Sequence, residues 1–253
     1  MQIVVDMAWI QTVLLVALRL AATLVLTPVF AITGMTARIR VFFILALAVT
    51  LTSAMAVPPV PVLSPADLVV AAMSELALGA MLAFGLFTAF AVFQLAGRMM
   101  DLQMGFGIAS LIDPATRTQS SLLGTLLNLT AIAVFFAVNG HHLLIQGLAF
   151  SLAHLPPGRP LEELNYAAMV AQFGGMFVFA LALAAPVLIV LLLVDVAMAV
   201  VARTMPQVNV FIVSMPLKIF VGLFVLATSM YFMGPLMARI FEALFNYWQQ
   251  VIE

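Results

Sequence analysis

Six long apolar runs make up most of this chain and restrict what it can fold into. They cover residues 7–33, 39–57, 66–96, 121–155, 167–201 and 208–234. A helix needs about 20 mainly apolar residues to cross a bilayer, and every run reaches roughly that length. Only 8% of the residues are charged, whereas about a quarter of the residues of a soluble domain usually are. The sequence therefore predicts a polytopic membrane protein.

The runs are expected to be helices, because they lack the short alternating pattern of membrane-barrel strands. Several are longer than one span needs, which predicts tilted, kinked or broken helices. Run 121–155 contains Asn139-Gly140 and is expected to divide into two helical pieces, and Pro186 is expected to kink run 167–201. The predicted fold class is all-α, with about six long hydrophobic helical segments.

The stretch 97–121 interrupts the apolar pattern and is the strongest candidate functional segment. Gly105 and Gly107 weaken a helix there, and Asp113-Pro114 stops one, because the residue before proline is pushed out of the helical region. Irregular backbone at membrane depth is tolerated only where it is buried in protein or lines a water-filled cavity. We interpret the stretch as a plug-like loop in a pore. Its apolar candidates are Met104, Phe106, Ile108, Leu111 and Ile112.

Four ionisable side chains lie inside the apolar runs, where a charge is costly and needs a partner. They are Arg19, Glu75, Asp195 and Lys218. Asp195 and Lys218 flank the connection 203–208 at similar distances, so an antiparallel helix pair would place them within about one turn in depth. We expect a salt bridge between them, or an opposite charge from a neighbouring subunit for each. The remaining possibility is that both reach the headgroups or water separately.

Arginine placement predicts which connections face the cytoplasm. The connections predicted to face the cytoplasm are those that contain Arg38 and Arg40, Arg98 and Arg117, and Arg203. The last of these connections is a tight turn, whose candidate functional residues are Arg203, Pro206 and Gln207. After Gly234-Pro235 the sequence is mildly amphipathic and is expected to form a tail. Tyr247 and Trp248 in that tail are typical of a membrane–water interface.

Other kinds of site find little support in the sequence. The chain contains no cysteine (Cys 0), which excludes disulfides and thiolate metal sites. Its net charge of -1 and the lack of a basic patch argue against nucleic-acid binding. No nucleophile elbow or phosphate-binding motif is present. His141, His142 and His154 are interpreted as polar groups near helix ends, because adjacent histidines on a helix point in different directions. We expect no enzymatic activity, no cofactor and no metal.

Two blocks of the sequence carry a family resemblance. The first, residues 97–114, includes Asp-Leu-Gln-Met-Gly at 101–105. The second, residues 186–222, includes Pro-Gln-Val-Asn-Val-Phe at 206–211 and Pro-Leu-Lys at 216–218. Their order and spacing over nearly the whole chain resemble those of the FliR family of type III secretion export gate subunits, and the first block resembles the flagellar members in particular.

The resemblance implies a division of the chain into parts that are similar to partner subunits. These parts are a FliP-like segment 1–160 with a plug loop at 106–122, a FliQ-like hairpin 161–234 with its turn at 203–208, and an amphipathic tail 235–253. It also implies assembly with FliP and FliQ homologues into the portal through which unfolded flagellar proteins cross the bacterial inner membrane, within the basal body. The turn 203–208 would face an FlhB-type export platform protein, and the remaining partners would be export substrates and membrane lipid, with no nucleic acid.

Three alternatives remain open. One is an injectisome export gate subunit. Another is a secondary transporter, which broken helices and isolated intramembrane charges would also suit, although the stretch 97–121 has no counterpart in the second half of the chain. A membrane enzyme that uses the histidines would require an activity that His141→Ala and His142→Ala abolish.

Overall fold

The computed structural model describes residues 6–25, 36–106, 121–158, 165–205, 207 and 209–252. This part of the chain forms seven helices and no strand. The helices are α1 (Met7–Val25), α2 (Ala37–Ala54), α3 (Pro65–Met104), α4 (Leu122–Ala137), α5 (Gly140–His154), α6 (Tyr166–Thr204) and α7 (Val210–Ile252). By length and composition, α1, α2, α3, α6 and most of α7 can each cross a membrane, and the pair α4–α5 can form a sixth, bent span. The predicted all-α polytopic fold is confirmed.

The break between α4 and α5 lies where the sequence predicted it. Asn139 stands between them with a φ of 56°, in the left-handed region that asparagine tolerates better than most residues. Pro186 lies inside α6, which continues on both sides of it. The division of run 121–155 into two helical pieces is therefore confirmed.

The end of α7 differs from the prediction. The run was expected to end near Pro235, but α7 continues to Ile252, so the predicted tail is the last part of this helix. The Tyr247 hydroxyl donates a hydrogen bond to the Met81 carbonyl, and the Trp248 Nε1–H donates one to the Leu82 carbonyl, both at 3.0 Å. Both aromatic side chains are buried. They anchor the end of α7 on protein, and the interfacial position expected for them stays a prediction.

The chain divides into two compact units, each assembled from separate segments. Unit 1 contains Met1–Thr88, Asn139–Gln172 and Ala243–Glu253, and unit 2 contains Ala89–Val138 and Phe173–Glu242. The core of unit 2 includes the rings of Phe90, Phe93, Phe135 and Phe241, whose neighbouring centroids lie 5.3–5.9 Å apart. The division at residues 160 and 234 follows from the family resemblance and stays a prediction.

Candidate functional site

The C-terminal end of α3 is set by Gly105. Its φ of 91° lies in the left-handed region, which glycine adopts without a side-chain penalty. The Phe106 N–H donates to the Asp101 carbonyl at 3.0 Å, and the Gly105 N–H donates to the Leu102 carbonyl at 3.3 Å. This pair of bonds is the Schellman pattern that closes many helices. The weakening of the helix at Gly105 that the sequence predicted is therefore confirmed.

The carboxylate of Asp101 joins the end of α3 to the start of α4. It is 5% exposed and accepts hydrogen bonds from the Ser121 hydroxyl at 2.5 Å and the Leu123 N–H at 3.2 Å. The Ser121 Oγ in turn accepts from the Gly124 N–H at 2.8 Å. The N–H groups of a first helical turn lack partners within the helix, and the helix dipole favours a negative charge beside them. Asp101 thus caps α4 and ties together the two helices that flank residues 107–120.

Asp101→Ala is expected to destabilise the protein by about 1–3 kcal/mol, because it leaves a half-buried hydroxyl and a buried N–H without their acceptor. Thermal unfolding of the detergent-purified protein measures the effect. Asp101→Asn keeps one acceptor oxygen and should therefore lower the stability of the protein less than Asp101→Ala does. Glu242→Ala removes an exposed carboxylate from the same unit and serves as the control. Equal melting temperatures for Asp101→Ala and Glu242→Ala would show that the hydrogen bonds of Asp101 do not stabilise the protein.

A second polar cluster in unit 2 brings together α3, α6 and α7. The Lys218 Nζ lies 2.5 Å from the Asp195 Oδ1, so the predicted salt bridge between Asp195 and Lys218 is confirmed. The Gln103 Nε2 donates a hydrogen bond to the other carboxylate oxygen, Oδ2, at 3.1 Å. Gln103 was not predicted as a member, because the sequence does not show which residue of α3 would face this ion pair.

Met104 makes an apolar contact beside this cluster. Its side chain is fully buried, and a Cβ added at Gly222 of α7 would lie 2.6–2.9 Å from its outer atoms. A side chain at position 222 would therefore require the flexible side chain of Met104 to shift. Gly222 and Lys218 are four residues apart, so they lie on the same face of α7. The predicted role of Met104 as a deformable seal stays a prediction, since the structure shows only its packing in unit 2.

The other two intramembrane charges pair with each other in unit 1. The Arg19 Nε lies 2.6 Å from the Glu75 Oε2, and the Arg19 Nη2 donates to Oε1 at 3.1 Å. The guanidinium also donates to the Ser151 carbonyl at 3.0 Å and to the Leu155 carbonyl at 2.9 Å, at the end of α5. Glu75 Oε1 accepts from the Gly158 N–H at 3.1 Å. This network links α1, α3 and the end of α5, and the sequence did not predict it.

The structure describes only some of the remaining site residues that the sequence predicted. Phe106 is half-buried directly after α3, and Arg203 and Gln207 are exposed at and after the end of α6. The candidates outside the described residues are Gly107, Ile108, Leu111, Ile112, Asp113, Pro114 and Pro206. Among the side chains that the structure describes, no group of three or more histidine or carboxylate residues could hold a metal ion. The plug loop and the cytoplasmic turn therefore stay predictions.

Comparison with known proteins confirms the family resemblance. The model of the family "Bacterial export proteins, family 1" matches residues 10–244. The flagellar biosynthetic protein FliR of Bacillus subtilis is 36% identical over 221 residues, which are 86% of this chain and 85% of that protein. FliR of Escherichia coli is 27% identical over 247 residues, or 97% and 94% of the two chains. Yop proteins translocation protein T of Yersinia pestis is 32% identical over 149 residues, or 57% and 56%. This chain therefore belongs to family 1 of the bacterial export proteins, together with the FliR proteins that it resembles along most of its length.

Proposed function

We propose that this chain is a subunit of the flagellar type III protein export gate in the bacterial inner membrane, within the basal body. In this proposal it assembles with FliP and FliQ homologues into the portal for unfolded flagellar proteins. The turn 203–208 faces an FlhB-type platform protein. Membership of an export-protein family and similarity to two FliR proteins over more than four fifths of the chain support this assignment.

The observation that carries the proposed assembly is a long exposed apolar face on α6. Large apolar side chains are exposed along α6 from Tyr166 (68% exposed) to Val200 (59% exposed). At ~1.5 Å per residue this face extends over roughly 50 Å. A bilayer's hydrocarbon core is about 30 Å thick, and a helix tilted by about 40° would still use only some 40 Å within it. Helices of neighbouring export-gate subunits would cover the remainder.

We further propose that residues 106–122 form the plug of the export channel. The sequence supplies bulky apolar side chains between helix breakers in this segment. Asp101 holds the flanking helices together, and Gln103 and Met104 fix the end of α3 against α6 and α7. An arriving polypeptide would displace the plug, with Gly105 and Gly107 as flexible points. The chain would act as a channel subunit and not as an enzyme, so that other components supply the energy.

Deletion of the gene tests the proposed function. Secretion of flagellar filament proteins should stop, and the tagged chain should co-purify with FliP and FliQ homologues from wild-type membranes. The 32% identity to Yop proteins translocation protein T supports an injectisome gate as the second candidate, and loss of virulence secretion with intact flagellar secretion would favour it. If both kinds of secretion survive the deletion, the export-gate function is wrong. A purified chain that moves a small solute into liposomes would point to the transporter alternative.

A further inference from the structure

The two ion pairs in the described part of the chain differ in how completely the protein encloses them. Arg19 and Glu75 are 1% and 0% exposed, and Arg19 donates further hydrogen bonds to backbone carbonyls. Lys218 and Asp195 are 21% and 37% exposed. Opening a buried pair leaves an uncompensated charge inside the protein. The Asp195–Lys218 pair is less enclosed by its own chain, so its opening disturbs the fold less than opening of the Arg19–Glu75 pair.

The contacts around Asp195 fasten one helix turn to another. Gln103 and Met104 are consecutive residues in the last turn of α3. Gln103 reaches α7 through Asp195 and Lys218, while Met104 contacts Gly222 one turn further along α7. The C-terminal turn of α3 is thus attached to α7 at two adjacent points, one polar and one apolar.

We propose that Asp195 is the positioning residue of a latch that closes the last turn of α3 onto α7 in the idle protein and opens during export. The latch consists of Gln103, Met104, Asp195, Lys218 and Gly222, and the proposal rests on the export function proposed above. Asp195 binds one polar partner on each of the two helices, so loss of its contacts releases the turn. The side chain of Met104 is unbranched and flexible, and can leave Gly222 without a change in backbone conformation.

A disulfide across the apolar contact can lock the latch. The chain contains no cysteine (Cys 0). The double variant Met104→Cys/Gly222→Cys therefore carries a single cysteine pair. A Cβ at 222 would lie 2.9 Å from the Met104 Cγ, which places the two Cβ atoms at most about 4.4 Å apart, and disulfides join Cβ atoms about 3.5–4.5 Å apart. In cells with the assembled complex, oxidation should lower flagellar secretion about tenfold, and a reductant should restore it. Met104→Cys alone, treated with the same oxidant, is the control.

The role of Asp195 is tested by the rate at which this disulfide forms. Asp195→Leu should slow its formation about tenfold, equivalent to ~1.4 kcal/mol of lost latch stability. Glu242→Leu, which removes an exposed carboxylate from α7, should leave the rate unchanged. In an otherwise unchanged chain, Asp195→Lys and Lys218→Asp should each increase ion leakage through the idle complex, because each places like charges together and holds the latch open. The two substitutions combined should restore the barrier, because they form the reversed ion pair.

Three results would overturn the latch. They are full secretion by the oxidised cysteine pair, an unchanged disulfide rate in Asp195→Leu, and a reversed pair that leaks as much as its single variants. The reversed pair alone decides the question if the cysteine variant does not assemble. Failure of the proposed export function looks different, because flagellar secretion would then persist in cells without the gene, whatever the state of the latch.

Discussion

Arg19→Met is expected to destabilise the protein by about 3–5 kcal/mol, because it leaves the carboxylate of Glu75 buried without its cation. Glu75 is completely buried and would retain one described donor, the Gly158 N–H. The Ser151 and Leu155 carbonyls would lose the guanidinium as well. A loss of this size is a large fraction of the stability of a typical domain, so the amount of folded protein in the membrane should also fall.

Unfolding of the detergent-purified variants measures this effect. Arg38→Met is the matched control, because Arg38 is exposed on α2 of the same unit, and it should change stability by less than about 0.5 kcal/mol. The double variant Arg19→Met/Glu75→Leu removes both charges and should recover part of the loss, since a buried pair is often replaceable by apolar side chains. If Arg19→Met unfolds at the same point as Arg38→Met, the network does not hold α1, α3 and α5 together.

The sequence predicted the features that depend on neighbouring residues. Apolar run length predicted the helices, and Asn139 and Gly105 predicted two of their ends. The ion pair between Asp195 and Lys218 was predicted from neighbouring residues in the same way. A short connection forces two consecutive helices to run antiparallel, so similar distances from the turn place the two charges within about one turn in depth.

Contacts between distant segments were not predictable in this way. Arg19 and Glu75 are 56 residues apart, on α1 and α3, and nothing local shows that these helices meet at those positions. The Ser121 cap has a local signal, a serine directly before an apolar run, but the carboxylate of Asp101 that binds it lies 20 residues earlier. The hydrogen bond of Trp248 was not predicted for the same reason, because its partner on α3 is 166 residues away.

Deletion of residues 107–113 is expected to have the largest functional effect. The deletion removes Ile108, Leu111 and Ile112, which are apolar candidates for the plug. It retains Asp101 and Ser121, which tie the flanking helices together, so the assembly should still form. A replacement of 107–113 by glycine and serine residues keeps the chain length and tests whether the apolar side chains themselves seal the channel.

Ion leakage per assembled complex, measured in cells that carry the whole export assembly, tests the central claim most directly. The proposed plug predicts that the idle membrane becomes leaky with the deletion and with the glycine–serine replacement, while the amount of assembled complex stays near that of the unmodified protein. Glu242→Ala, with its exposed carboxylate removed, should leave the membrane tight. A deletion variant that assembles fully and shows no leak would contradict the assignment of this segment as the plug of the export channel.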